Sequence, residues 1–347
     1  MKKIIAIIGA RPQFIKHFPF EKAAEDKINL ITIHTGQHYD ENMSTIFFDQ
    51  LNMKKPQYIL QNGGGNHGEQ TGKMMIDIEK IILDEKPDGV VVYGDTNSTL
   101  AGALVAVKLH IPVFHIEAGL RSFNKEMPEE VNRILTDHIS SKLFVTSDVA
   151  VENLSQEGLS KDAVMVGDIM KDLVNLVIAE NKIGDKKSDF EYYYVTIHRP
   201  YNTDNLERLT KIFKALNSLS EKVIIALHPR TRKMVQDFGI KTEDFSNLII
   251  IEPQSYFDNL NYLYYSKGLI TDSGGMQKEA YWLQKRCVTV RTETEWTETV
   301  ALGGNTLMFD DLSDLGSELC KFPADWNGNL YGDGNAAGKI VNEIVKF

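Results

Sequence analysis

The chain has 347 residues, 42% hydrophobic and 25% charged, with a formal net charge of −10. That length exceeds one ordinary core and implies two globular domains, and the acidic balance excludes a nucleic-acid backbone or an anionic membrane as the main partner. Its two cysteines, Cys287 and Cys320, lie far apart and outside any metal-binding spacing; this excludes a disulfide framework and a zinc site and fits a cytoplasmic protein.

Residues 3–8 read as a buried strand. The lysines before them resemble the start of a signal peptide, but Arg11 ends the apolar run too early. No run approaches the roughly 20 apolar residues that span a bilayer, so no membrane insertion is expected. Gly9-Ala10-Arg11-Pro12-Gln13-Phe14-Ile15-Lys16 leads from this strand into a helix at 14–24. It lacks the G-x-G-x-x-G spacing of a dinucleotide turn. It does set Arg11 and Lys16 near a helix N-terminus, where phosphate is favoured over the plainer alternative of solvated cations on an exposed turn. A strand at 30–35 and helices at 41–51 and 67–85 follow. Gly36-Gln37-His38-Tyr39-Asp40 and His67-Gly68-Glu69-Gln70-Thr71-Gly72 are candidates to line a cleft, although helix capping explains them as well.

Strands at 89–93 and 113–116 read as parallel neighbours joined by a helix at 98–108. Asp95, in Gly94-Asp95-Thr96-Asn97, and Glu117, in Ile116-Glu117-Ala118-Gly119-Leu120-Arg121, lie just past their carboxyl ends, where open α/β sheets keep their ligands. Pro128 then opens a helix that puts Glu129, Asn132 and Arg133 on one face. Carboxylates crowded in a partly dry cleft repel one another, so one binds a proton more tightly while another stays ionised, giving an acid and a base at one pH. Ion pairs with Arg121 or Arg133, or helix capping, are the competing account of each residue. A further strand at 142–146 completes a parallel half.

The polar, aperiodic segment 182–189 reads as a linker. Beyond it the strands 192–197, 223–227, 248–251, 268–271 and 288–290 alternate with helices at 206–219, 233–238, 256–265 and 276–283. The expectation is an α/β protein of two Rossmann-like domains facing a cleft, 1–168 and 169–347. The amphipathic stretch 336–347 is free to pack on either, the first domain included.

His198 follows a strand end, placed to carry a proton or donate to a leaving phosphate. Arg230, in His228-Pro229-Arg230-Thr231-Arg232, and Arg291 suit phosphate or carboxylate electrostatics. Thr271-Asp272-Ser273-Gly274-Gly275 joins a strand to a helix. Ser273 and the amides of Gly274 and Gly275 suit a diphosphate, with Glu279 one turn on for ribose hydroxyls. A plain strand–helix turn is the alternative.

Six segments together resemble the non-hydrolysing UDP-N-acetylglucosamine 2-epimerases: residues 9–16, 94–99, 115–121, 127–133, 271–280 and Tyr331-Gly332-Asp333-Gly334. The resemblance spans nearly the whole chain. It implies a GT-B-like fold, a homodimer, a UDP-sugar substrate, and neither metal nor redox cofactor. The implied reaction inverts carbon 2 of a UDP-2-acetamido sugar, UDP-GlcNAc to UDP-ManNAc, by anti elimination of UDP to a 2-acetamidoglucal and re-addition. Asp95, Glu117 and Glu129 then take the acid, base and stabilising roles in an order left open, and Arg11, Lys16, Arg133 and His198 hold the sugar diphosphate. The chain departs from many members at Gln13-Phe14, where R-P-E-A-I-K is common, at Glu295-Trp296-Thr297-Glu298, where E-R-P-E is, and at Asn259, where phenylalanine is. These departures are similar to the branch acting on UDP-2,3-diacetamido-2,3-dideoxy-glucuronate. A hydrolysing 2-epimerase, a GT-B glycosyltransferase and a non-catalytic nucleotide-sugar sensor are the remaining alternatives.

Overall fold

The computed structural model describes residues 1–37, 53–180 and 182–347. The expected helix at 41–51 and the segment His38-Tyr39-Asp40 lie outside the described residues. The chain divides into two units, Met1–Asn175 with Tyr331–Phe347, and Leu176–Leu330.

Among the described residues the first unit holds seven strands: β1 Lys2–Ile8, β2 Ile28–His34, β3 Tyr58–Ile59, β4 Gly89–Tyr93, β5 Val113–Ala118, β6 Lys142–Val145 and β7 Ala163–Met165. All pair in parallel, in the order β3-β2-β1-β4-β5-β6-β7. Ile4, Ile5, Ile7 and Val90 to Val92 are fully buried, because helices cover both faces of a parallel sheet and leave no solvated side for polar alternation. On one face Met74, Ile78 and Ile82 of helix His67–Glu85, with Ala101 and Val105 of helix Asn97–Lys108, pack on Ile5, Ile7, Val90 and Val92. The strand order reverses between β1 and β4, and loops leaving the carboxyl ends there diverge to opposite sides. The strands β3 and β7 are too short to carry a periodic signal.

The final helix, Ala336–Lys346, belongs to this first unit and packs beside helix Arg11–Ala24. Asp172 fastens its start by accepting from Ala336 N at 3.0 Å and Ala337 N at 2.7 Å. Two of the orphan donors at a helix N-terminus are thereby satisfied. The boundary expected at 168/169 lies ahead of the one between these units. The first unit continues to Asn175, inside helix Ile169–Ala179, and it recovers the chain at Tyr331.

The second unit carries β8 Tyr192–Thr196, β9 Lys222–Ala226, β10 Leu248–Ile251, β11 Gly268–Thr271, β12 Arg286–Thr289 and β13 Asn305–Leu307, all parallel, in the order β10-β9-β8-β11-β12-β13. Its reversal falls between β8 and β11. Phe213 and Leu216 of helix Leu206–Asn217 pack with Val195, Ile225, Ile270 and Val288. Segment 182–189 is no free linker. Asn261 donates to the carbonyl of Asp185 at 2.9 Å, Lys187 pairs with Asp258, and Ile183 is buried. Among the described residues no helix is long and apolar enough to cross a membrane.

Beneath the β1–β4 reversal, His17 is fully buried between the hydroxyls of Tyr93 (2.7 Å) and Thr32 (3.0 Å). Burial lowers its pKa from 6.5 to about 3. The unfolded chain thus takes up this proton first, so stability is intact above pH 6.5 and is lost progressively between pH 6.5 and about 3. Thermal melts across that range are expected to fall with a shallower slope in His17→Phe than in the parent protein.

Candidate active site

Each unit gathers polar side chains at the carboxyl ends flanking its own reversal. In the first, the turn after β1 is stitched to the end of β4 by Gln13, which is fully buried. Its side-chain oxygen accepts from Gly9 N (2.8 Å) and Ala10 N (3.0 Å). Its amide nitrogen donates to the Tyr93 carbonyl (2.9 Å) and the Thr99 hydroxyl (3.0 Å). The amides of the two residues before this helix are therefore occupied internally, and the turn also carries two cations. Arg11 opens the helix, and Lys16 lies one turn further on.

Lys16 forms an ion pair with Glu117, both side chains largely buried. Gly94 borders this pair. It adopts φ +60°, and a Cβ there would stand 3.5 Å from Lys16 Nζ and 3.6 Å from Glu117 Oε2. The pair therefore lies against the residue that precedes Asp95. Glu117 itself has φ +69°, in the left-handed region, and the β5–β6 register slips between Ile116 and Ala118. A bulge of this kind re-aims a side chain, and a left-handed glutamate costs about 1–2 kcal/mol.

Asp95 accepts from Arg133 at 2.6 Å. Asn132 holds the same turn through the Asp95 carbonyl (2.9 Å) and Asn97 (3.2 Å). The neighbouring Glu130 is fully buried and accepts from Ser122 N and Oγ and from Phe123 N, each at 2.9 Å, so it shapes the loop after β5. Glu129 is exposed, one helical turn before Arg133 on the same face. Arg121 lies apart from these carboxylates, paired with Asp137 at 2.7 Å and Glu157 at 2.6 Å.

In the second unit Asp272 is the organiser. Fully buried after β11, it accepts from Arg199 N at 2.8 Å, Asn202 Nδ2 at 3.1 Å, His198 N at 3.0 Å and His198 Nδ1 at 3.0 Å. Burial raises its pKa, but His198 and these donors outweigh that and leave it below the ordinary value. Its carboxylate meets His198 Nδ1 and so orients the ring. The His228 ring lies close by, tilted by 36° with ring centroids 5.4 Å apart.

Ser273 precedes helix Gly274–Trp282 without its side chain capping it, and a side chain added at Gly275 would meet nothing within 4 Å. A side chain at Gly274 would collide with the Glu295 carboxylate, which pairs with Arg291 at 3.1 Å. Glu279 is buried one turn along the helix. Arg230 is drawn outward into an exposed pair with Asp204, Nε to Oδ1 3.1 Å. Asn259 binds Tyr194 OH at 2.6 Å and the carbonyls of Gln254 and Ser255, so it anchors a helix start. Among the described residues no three His, Cys, Asp or Glu side chains are grouped to hold a metal ion.

The structure pairs Lys16 with Glu117 and Arg133 with Asp95, on either side of Gly94, and leaves Glu129 exposed. Gln13, Glu130 and Asp272 are organising residues of these sites that carried no assignment of their own. Their signal was a polar side chain in an otherwise apolar, buried position, which must find partners.

Residues 21–345 match the model of the UDP-N-acetylglucosamine 2-epimerase family. The UDP-2,3-diacetamido-2,3-dideoxy-D-glucuronate 2-epimerase of Pseudomonas aeruginosa is 47% identical over 359 residues, covering 99% of this chain and 100% of that protein. The UDP-N-acetylglucosamine 2-epimerase of Methanocaldococcus jannaschii is 44% identical, covering 99% of each. A crystal structure of the M. jannaschii UDP-GlcNAc 2-epimerase in complex with UDP-GlcNAc and UDP superposes with a TM-score of 0.86 at 42% identity, over 99% of this chain and 100% of that one. Likeness to Acinetobacter baumannii MurG, 12% identical with a TM-score of 0.60, is one of fold alone. With strand-end carboxylates, a glycine turn and full-length similarity in agreement, the chain belongs to the UDP-N-acetylglucosamine 2-epimerase family.

Proposed function

We propose that the protein inverts carbon 2 of a UDP-2-acetamido sugar without hydrolysing it. A base takes the carbon 2 proton, the C–H electrons form the C1=C2 bond, and the C1–O bond breaks with its electrons passing to UDP. Reprotonation of the resulting 2-acetamidoglucal from the opposite face, with return of UDP to carbon 1, gives the epimer. The sequence is redox-neutral, so it calls for no hydride carrier. It does call for a base, an acid and cations for the departing diphosphate.

The observation that carries this reading is the strained Glu117, held with Lys16 against the Gly94-Asp95 turn. Positive φ in a non-glycine residue gathers at functional sites, where strain fixes a side chain. Asp95 and Glu117 take the proton transfers, with Glu129 completing the set. Lys16 pairs with Glu117 and Arg133 with Asp95, and with Arg11 they provide the positive charge a diphosphate needs. In the second unit, Ser273, Gly274 and Gly275 suit the diphosphate and Glu279 the ribose, with His198 Nε2 and Arg291 for the leaving group. Arg230 reaches a phosphate or sugar carboxylate only by leaving Asp204. UDP-GlcNAc is the first substrate to offer. UDP-2,3-diacetamido-glucuronate is the second, because the P. aeruginosa relative named for that substrate is 47% identical.

The protein acts as a homodimer in this reading. Ile76 and Leu83 on helix His67–Glu85, and Val131 and Leu135 on helix Pro128–Ile139, are exposed on the two helices that flank helix Asn97–Lys108. Exposed aliphatic side chains grouped on neighbouring helices suit a second copy of the same face. Sedimentation is expected to give a dimer that Val131→Glu/Leu135→Glu converts to monomer; a monomeric parent protein contradicts the assignment.

Proton NMR in heavy water tests the reaction, with each UDP sugar offered separately. Deuterium is expected at carbon 2 of recovered nucleotide sugar in both epimers, and retention of the original hydrogen through inversion refutes the elimination. Free sugar accumulating with UDP points to hydrolysis instead. Asp95→Asn, Glu117→Gln and Glu129→Gln are each expected to raise the barrier by at least ~2 kcal/mol, the scale of lost acid–base catalysis. A near-normal rate removes that residue from the set.

A further inference from the structure

Behind the carboxylates of the first unit runs a buried charged chain that the proposed chemistry leaves unused. His115 is fully buried in β5, its Nδ1 2.7 Å from Asp137 Oδ1 and its Nε2 2.7 Å from the Gly94 carbonyl. A carbonyl only accepts, so Nε2 donates to Gly94, while Nδ1 meets the carboxylate. The other oxygen of Asp137 accepts from Gly119 N at 3.1 Å and Arg121 at 2.7 Å. Arg121 in turn pairs with Glu157, which His138 meets at 3.0 Å. Burial pushes the Asp137 pKa up, but His115 and Arg121 outweigh it and hold the carboxyl below its ordinary value.

One carboxylate thus grips β5 on both sides of Glu117, at His115 before it and at Gly119 after it. The gripped segment is the one with the slipped register and the left-handed glutamate. A strained, non-glycine conformation persists only where its surroundings over-determine it. Through His115 the same restraint reaches the Gly94 carbonyl, the peptide that leads into Asp95. We propose that Asp137 and His115 are positioning residues for the epimerisation. Asp137 holds Glu117 in its left-handed conformation facing Lys16, and His115 ties the Asp95 turn to the same anchor. The proposal rests on the epimerase reading for what Asp95 and Glu117 do, but not for the restraint itself.

Two substitutions separate restraint from charge. Asp137→Ala removes every anchor. Asp137→Asn retains all of them in neutral form: its oxygen accepts from Gly119 and Arg121, its NH2 donates to His115 Nδ1, and the proton on Nε2 still bonds the Gly94 carbonyl. In Asp137→Ala kcat is expected to fall about 100-fold, the scale of a catalytic group misplaced by an ångström. KM for the UDP sugar should stay within about threefold, because the loss falls on the transition state. A crystal structure of this variant is expected to show Glu117 out of the left-handed region. Asp137→Asn should keep both the rate, within about fivefold, and the conformation.

Turnover by the parent protein in the same assay tests the epimerase reading separately, and φ at Glu117 reports the restraint even without turnover. Normal kcat in Asp137→Ala, an unmoved Glu117, or an Asp137→Asn as impaired as Asp137→Ala overturns the proposal. If Asp137→Ala does not fold, His115→Ala stands in with the Asp137–Arg121 pair intact. A displaced Asp95 turn and a comparable loss of kcat are then expected, and an unmoved turn with normal kcat overturns it.

Discussion

Adjacent parallel strands end at the same edge of their sheet, and everything proposed for the first unit follows from what β4 and β5 carry there. The last rung between them, from Gly94 N to the Ile116 carbonyl at 3.0 Å, sets the Asp95 turn beside the Glu117 bulge. Two carboxylates brought together this way would repel and pull the turn apart. Each is instead given its own cation, Lys16 from the helix after β1 and Arg133 from the helix after β5. The strand-order reversal therefore dictates more than a location. It decides which two helices can reach the carboxylates, and both begin at the same sheet edge.

Holding that arrangement costs stability. The left-handed Glu117 stores about 1–2 kcal/mol, and burying Asp137, His115 and Arg121 together demands that every donor and acceptor be met. Hydrogen bonds from His115, Gly119 and Arg121 to one carboxylate satisfy that demand, while Gln13 and Glu130 do the same for the turns on either side. The same device appears in the second unit, where buried Asp272 organises His198, Arg199 and Asn202 beside the glycine turn. Each unit thus has a buried acid that fixes the geometry of its strand-end turns.

Much of the fold is legible in the chain because buried parallel strands leave runs such as Val90 to Val92 and Ile224-Ile225 between turn residues. What escapes is short or fixed at long range. Strands β3, β7 and β13 have two or three residues each, too few for a period. Segment 182–189 is polar enough to read as a linker, yet Asn261, far along the chain, ties it down. The final helix shows its apolar face plainly, but its partner depends on where Asp172 stands to cap it. The candidate site divides the same way. Asp95 announces itself by following a strand, Glu117 by standing near the end of one, and Ser273-Gly274-Gly275 by opening a helix. The left-handed turn at Glu117, the capture of the Gly9 and Ala10 amides by Gln13, and the diversion of Arg230 to Asp204 depend on partners that no local spacing reveals.

The central claim is that the carbon 1–oxygen bond to UDP breaks before carbon 2 is inverted. Positional isotope exchange tests it most directly, with 18O placed in the oxygen that joins the sugar to the β-phosphate. Free rotation of a released diphosphate predicts that label in recovered nucleotide sugar spreads into non-bridging positions as epimerisation proceeds. Label that stays bridging while carbon 2 inverts to equilibrium would contradict the account.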